Sequence, residues 1–238
     1  MSTAWIETPG YEERVFLVGA NGSGKSIAAG LLIEPYPRCW ILDTKGDFSI
    51  PWEDGKYQIR TRPPYAGFLD RLRWRFGNQR IVYRPEPMRY DSGPEISRWY
   101  DWAYRTIQRE NAKKKEPDKR GRVLYVDEGL WASYVGAWQS LARLIVSTRS
   151  LKLGVWVSSQ RPKGIPVSTR SEAWRWIVFY LRSREDRKEV VSYLDHRISE
   201  YDLESTEQDY QFLEIRRGKG GRMAYRWLPP LMVKTPGG

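Results

Sequence analysis

Eight residues, Gly19-Ala20-Asn21-Gly22-Ser23-Gly24-Lys25-Ser26, have the types and spacing to wrap a backbone round an anion. Gly19, Gly22 and Gly24 can take positive φ and bring the main chain close to a ligand. Their N–H groups, with the positive end of a following helix, would point at a phosphate. Lys25 would reach the β and γ oxygens of a triphosphate, and the Ser26 hydroxyl would ligate Mg²⁺. The run fits G-x-x-x-x-G-K-[ST], the phosphate-binding P-loop, provided that a strand precedes it and a helix follows. Both flanks are present. Val15-Phe16-Leu17-Val18 reads as a buried strand, and Ile27-Ala28-Ala29-Gly30-Leu31-Leu32-Ile33 continues as a helix despite Gly30.

A second stretch, Val123-Leu124-Tyr125-Val126-Asp127-Glu128, places two acids after four apolar residues. This is the Walker B pattern, whose strand ends beside the P-loop at the ligand edge of an open sheet. Asp127 would hold Mg²⁺, through water, and Glu128 would polarise the attacking water as general base. An acid pair at a strand end is weak alone; paired with a P-loop a hundred residues earlier, the pair reads as hydrolytic. Gln160 closes the next strand, and position alone fits a plain polar strand end as well as a γ-phosphate sensor. Arg149 ends the helix before that strand. It reads equally as an arginine favoured by the helix dipole or as a finger acting in trans.

The elements that would position these groups follow from the apolar runs. Cys39-Trp40-Ile41-Leu42 is a short strand, residues 50–66 a proline-rich loop, and Ala66 to Phe76 a helix with Arg71, Arg73 and Arg75 facing solvent. Arg80-Ile81-Val82-Tyr83-Arg84 is a further strand. Ser92-Gly93-Pro94-Glu95 reads as a capping box. Ile96, Trp99, Tyr100, Ala103 and Ile107 then mark one helical face, as do Trp138, Leu141, Ala142 and Ile145 later. Residues 153–159 and 176–181 are strands, 185–194 a helix, and 210–216 and 223–228 two strands round a basic glycine turn. Residues 1–12 read as a loosely held leader, and 229–238 as a frayed tail. Strands alternating with helices predict one α/β domain over 1–238, a mostly parallel sheet covered on both faces. Its core would be about 14–182, with C-terminal strands and tail over about 206–238.

Bulk properties limit the function. The chain has 238 residues, 40% of them hydrophobic, and no apolar run approaches a membrane span. The N-terminus lacks the pattern of a signal peptide. One cysteine, Cys39, excludes an internal disulfide and a cysteine metal cluster, so an intracellular setting is expected. A net charge of +11, from 40 Lys and Arg against 29 Asp and Glu, favours a polyanionic partner. Lys113, Lys114, Lys115, Lys119, Arg120 and Arg122 lie in one basic loop, and residues 216–222 form another. Taken singly, each loop reads more simply as a solvated charge run. The Trp residues, 12 in all, often adjoin Arg in sequence (Trp74-Arg75, Arg98-Trp99, Trp174-Arg175-Trp176), which permits cation–π contact, though core packing explains most of them more simply. His196, the sole histidine, has no neighbouring ligands and is read as structural.

Three segments together resemble the FtsK–HerA superfamily of P-loop DNA-translocating ATPases. They are residues 19–26, the strand ending in Leu42-Asp43-Thr44-Lys45-Gly46-Asp47, and Ser147-Thr148-Arg149 through Leu153-Gly154-Val155 to Ser159-Gln160-Arg161-Pro162. The resemblance spans roughly residues 14–182. It implies an ASCE/RecA-like P-loop NTPase fold with a C-terminal β-hairpin added, and ATP with Mg²⁺ as the bound pair. It makes Arg149 the trans finger and Gln160 the nucleotide sensor. It also implies a homo-oligomeric ring, pentamer or hexamer, that pulls double-stranded DNA through its channel. Cellular members carry large additional domains, whereas this chain is similar in size to the compact genome-packaging ATPases of viruses. The motors of the phi29 type carry a further C-terminal nuclease-like domain, for which residues 206–238 are too few. The expectation is therefore a packaging motor acting in the host cytoplasm at a capsid or portal vertex. A HerA-like cellular or conjugative translocase and an assembly or secretion ATPase acting on protein are the alternatives.

Overall fold

The computed structural model describes residues 6–48, 57–76, 80–85, 91–115, 119–165, 170–194, 197–204, 211–218 and 222–229. His196 and Lys219, Gly220 and Gly221 of the C-terminal basic turn lie outside them.

Strands β1 (Arg14–Val18), β2 (Cys39–Asp43), β3 (Gln58–Arg60), β4 (Arg80–Tyr83), β5 (Arg122–Asp127), β6 (Leu153–Ser159), β7 (Arg175–Val178), β8 (Phe212–Arg217) and β9 (Met223–Leu228) form one sheet. Its order is β3-β4-β2-β5-β6-β1-β7-β8-β9. The first seven pair in parallel, and β8 and β9 add an antiparallel hairpin. β6 lies between β1 and β5, so the P-loop strand and the acid-bearing strand are separated by the strand that ends before Gln160. This is the α/β arrangement that the sequence predicts.

The central strands are apolar throughout because both faces are covered. Side chains alternate between two cores, as a period of two requires. Phe16 and Val18 face a large core with Trp40, Trp99, Leu124 and Trp176. Val15 and Leu17 face a smaller one with Ala28, Leu32 and Tyr125. Helix α1 (Lys25–Ile33) covers the smaller core. Helices α2 (Phe68–Phe76), α3 (Gly93–Asn111), α4 (Gly129–Tyr134), α5 (Trp138–Ser147), α6 (Arg184–Tyr193) and α7 (Glu200–Glu204) lie on the side of the larger one.

Several expectations change. β3 falls inside the proline-rich stretch expected to be a loop and pairs with β4. The capping box is not made: Ser92 is the N-cap but forms no side-chain cap bond, while Glu95 accepts from the Tyr83 hydroxyl. Leu144 joins Leu141 and Ile145 on the buried face of α5, where Trp138 and Ala142 are only half-buried. The leader is tied down, with Ile6 in a core and Pro9 accepting from the Tyr36 hydroxyl. Arg122 is not in the basic loop. It is 2% exposed, opens β5, lies 4.0 Å over the Trp40 ring and pairs with Glu110. It is therefore withdrawn as a nucleic-acid contact. Among the described residues the Arg–Trp contacts are long-range, with Arg122 4.0 Å over Trp40 and Arg149 5.1 Å over Trp174.

Candidate nucleotide site

The strand register assembles the site. Val18 pairs with Ser159, Val126 with Val157, and Asp43 with Asp127. The C-terminal ends of β1, β6, β5 and β2 therefore stand side by side, each delivering one motif. The residues after β1 turn tightly: Gly19 N–H donates to Ser159 O at 3.2 Å and Ala20 N–H to Tyr180 O at 2.8 Å.

The loop has the form an anion cradle needs. Gly22 and Gly24 sit at φ 76° and 95°, where other residues are strained. Gly19 serves differently from the expectation of positive φ: a Cβ there would stand 2.7 Å from both Phe179 Cβ and Ser23 Oγ. No carbonyl among the described residues takes the N–H groups of Gly22, Gly24, Lys25 and Ser26. Ser23 Oγ is buried with no hydrogen-bond partner. Open donors, a glycine-lined wall and a helix N-terminus together fit a polyphosphate. Asn21 is exposed and Ser26 half-buried at the same loop.

Lys25 is 8% exposed and reaches back across the loop, donating to Gly19 O at 2.7 Å and Ala20 O at 2.8 Å. Burial pushes its ammonium down to about 8, and the nearby Glu128 carboxylate is the largest opposing influence.

The acids are held from neighbouring strands. Asp127 Oδ1 accepts from Ser158 Oγ at 2.8 Å and from the Tyr125 hydroxyl at 2.9 Å. Burial raises the Asp127 carboxyl above its ordinary value, and these two hydrogen bonds work the other way. Ser158 Oγ also accepts the Glu128 N–H at 3.0 Å, so one hydroxyl fixes both acids. Glu128 adopts a left-handed backbone, φ 59° and ψ 66°, at the N-cap of α4. For a residue with a Cβ that conformation costs on the order of 1–2 kcal/mol. Its side chain is 5% exposed as a residue average. Oε2 accepts from Gln160 Nε2 at 2.9 Å and pairs with Lys45 Nζ at 3.1 Å, while Oε1 is buried without a partner.

Sequence reasoning gave no role to Lys45, Ser158 or Tyr125, although Lys45 lies in one of the segments quoted for the resemblance. Burial opposes the Lys45 charge, but Glu128, Asp127 and Asp47 together outweigh it and hold the ammonium above its ordinary value. One carboxylate oxygen from each of Asp43, Asp47 and Asp127 lies within 4.8 Å of the others. Asp43 is already committed, to Arg84 at 2.7 Å and to the Gly46 and Phe48 N–H groups at 2.8 and 3.2 Å. Asp127 Oδ2 and the exposed Asp47 carboxylate take no hydrogen bond among the described residues and remain to be offered.

Arg149 stands apart. It lies in a 3₁₀ turn (Arg149–Leu151) before β6 begins, whereas Ser159 at the other end of β6 touches Gly19. Seven strand residues at ~3.3 Å each separate them by about 20 Å. Arg149 is exposed and is not brought to the Lys25 site of its own chain. Lys113, Lys114, Lys115 and Arg120 are exposed at the same end of the sheet, and Lys119 Nζ donates to Ser150 O at 2.7 Å.

No protein-family model and no curated protein matches the sequence. Solved structures do match. The genome packaging NTPase B204 of Sulfolobus turreted icosahedral virus 2, in complex with AMPPCP, aligns over 94% of this chain and 100% of its own at 16% identity, TM-score 0.64. The cytoplasmic domain of the Thermomonospora curvata type VII secretion ATPase EccC aligns over 95% of this chain but 26% of its own, at 14% identity and TM-score 0.61. EssC (ATPases 2 and 3) from Geobacillus thermodenitrificans covers 94% and 41%, at 13% identity and TM-score 0.52. No helix among the described residues is long and apolar enough to cross a membrane. The chain has the P-loop NTPase fold and, in motifs and fold together, resembles ATPases of the FtsK–HerA type that include viral packaging NTPases.

Proposed function

We propose that the chain is an ATP-hydrolysing motor that drives double-stranded DNA into a viral capsid. The observation that carries this reading is the meeting of Lys25, Asp127, Glu128 and Gln160 at one strand edge, on a fold coextensive with a genome-packaging NTPase. Residues 19–26 hold the triphosphate through backbone N–H groups and Lys25. Ser26 and Asp127 would hold Mg²⁺, which would supply charge neutralisation for the phosphates. Lys45 and Gln160 fix one oxygen of Glu128 and leave Oε1 to take a proton from water. Gln160 reports loss of the γ-phosphate, a role that its bond to that carboxylate supports. Arg149 serves a neighbour's site, because about 20 Å of strand separates it from its own. Hence the working form is a ring, pentamer or hexamer, acting in the host cytoplasm at a capsid or portal vertex. Lys113, Lys114, Lys115, Lys119 and Arg120 supply sequence-independent phosphate contacts, whereas Arg216 of the C-terminal basic turn is engaged by Glu7 and Glu214.

Steady-state ATP turnover measured with and without duplex DNA, across a salt series, tests the reading. Duplex should raise turnover and bind in a salt-sensitive way. Turnover indifferent to duplex, with no such binding, would favour a secretion or assembly ATPase acting on protein, which EccC represents among the matching structures.

A further inference from the structure

Away from the nucleotide site, α2 and α3 enclose a trough made of two adjoining cavities, of about 570 and 660 Å³, which share Arg71, Trp102 and Arg109. Arg98, Trp102, Arg105 and Arg109 lie on α3 at intervals of four, three and four residues, so they form one stripe along the helix. Arg71 faces them from α2. All four arginines are exposed, and none makes an ion pair among the described residues. The acids lining the trough are already engaged. Asp101 pairs with Arg143 at 2.5 Å, and Glu110 with Arg38 at 2.6 Å and Arg122 at 3.6 Å. The trough therefore carries uncompensated positive charge. At its centre the half-buried Trp102 is braced by Trp40 and Trp74, at centroid distances of 4.8 and 5.0 Å.

We propose that this trough binds a single nucleic-acid strand, its phosphates on Arg71, Arg98, Arg105 and Arg109 and a base against Trp102. Guanidinium groups on both walls suit a phosphodiester backbone, and a rigid indole between them suits a stacked base. The charge alone would also suit an acidic peptide, but Trp102 packs on the core with part of its ring left open, and a base would cover that part where a run of carboxylates would not. A flat anionic membrane surface would not enter two concave cavities. The arginines of α3 are spaced about 10 and 6 Å along the helix axis, so three act on one strand as it runs the length of the stripe. The trough adjoins the basic loop assigned to duplex, whose Arg120 lines its second cavity, but its α3 arginines lie outside that loop, and it does not depend on ATP hydrolysis.

Fluorescence anisotropy with a short labelled oligothymidine, and with a duplex of equal length, tests it. The triple variant Arg98→Gln, Arg105→Gln, Arg109→Gln changes only exposed side chains and should keep its fold and its ATP binding. It should lose about tenfold or more in single-strand affinity, and the slope of log affinity against log salt should fall by about 2. Trp102→Phe should retain most of the binding that Trp102→Leu loses. Because no nucleotide is present, failure of the ATPase reading would leave this result unchanged. Unaltered oligothymidine binding in the triple variant overturns the proposal. So does a loss confined to duplex, or binding to anionic phospholipid vesicles with none to oligothymidine.

Discussion

The two edges of the parallel sheet are both lined with buried charge, and they use it in opposite ways. At the N-terminal edge, Arg14, Arg122 and Arg175 are the first residues of β1, β5 and β7, and all three are buried. Arg14 donates to Ile145 O, Glu12 O, Leu153 O and Thr148 Oγ1, tying β1 to the end of α5 and the start of β6. Arg175 meets Glu13 at 3.0 Å and the fully buried Glu214 at 3.2 Å, and Glu214 also takes Arg216 and Arg226. At the C-terminal edge, Asp43, Asp127 and Ser159 are the last residues of their strands. There Glu128 keeps a buried oxygen without a partner, on a left-handed backbone, and the loop before α1 keeps open N–H groups. Burial of charge does not distinguish a site from a scaffold. Nor does one unmet polar atom, since Arg216 Nη2 beside Glu214 is also buried without a hydrogen bond; what marks the C-terminal edge is that an open carboxylate oxygen, a left-handed backbone and open N–H groups converge there.

That contrast can be broken at four points of decreasing effect. Arg149 is the exception at the N-terminal edge, exposed and lying over the Trp174 ring. Arg149→Ala should lower ATP turnover by about a thousandfold while sparing ATP binding. Mixing it with Glu128→Gln subunits should restore part of the turnover, since each variant supplies what its neighbour lacks. Turnover that stays absent in the mixture would confine Arg149 to a structural role.

Glu214→Ala should act on folding alone. Removing one acid from among Arg175, Arg216 and Arg226 leaves buried positive charge uncompensated and should cost about 3–5 kcal/mol in urea denaturation. Residual folded protein should bind nucleotide normally.

Gln160→Ala should sharpen the contrast from the other edge. It removes one of the two groups holding Glu128 Oε2 and should lower turnover about tenfold, with little change in melting temperature. The smallest effect belongs to Ser92→Ala. With no side-chain cap bond to lose, its cost should stay below about 0.5 kcal/mol, less than a working N-cap provides.

The C-terminal edge was legible in the sequence because its chemistry is local. The loop at 19–26 and the Asp127-Glu128 pair each declare themselves within a few residues. The N-terminal edge was not, because its arginines find partners far along the chain. Arg122 adjoins a basic run in sequence, yet its register with Leu153 places it in β5 over Trp40. Gln58-Ile59-Arg60 has no apolar run to announce a strand, and only β4 makes it one. Nothing local singles out Ser158 within its strand, and only the pairing of β5 with β6 reveals that it anchors both acids.

The central claim is that Glu128 is the base of a hydrolytic site whose other groups bind the triphosphate without it. Equilibrium ATP binding and steady-state turnover of Glu128→Gln, measured on one preparation against the unaltered chain, test this most directly. The account predicts affinity within about twofold of the unaltered chain and turnover reduced by a factor of about a hundred or more. Turnover at the unaltered rate would contradict it.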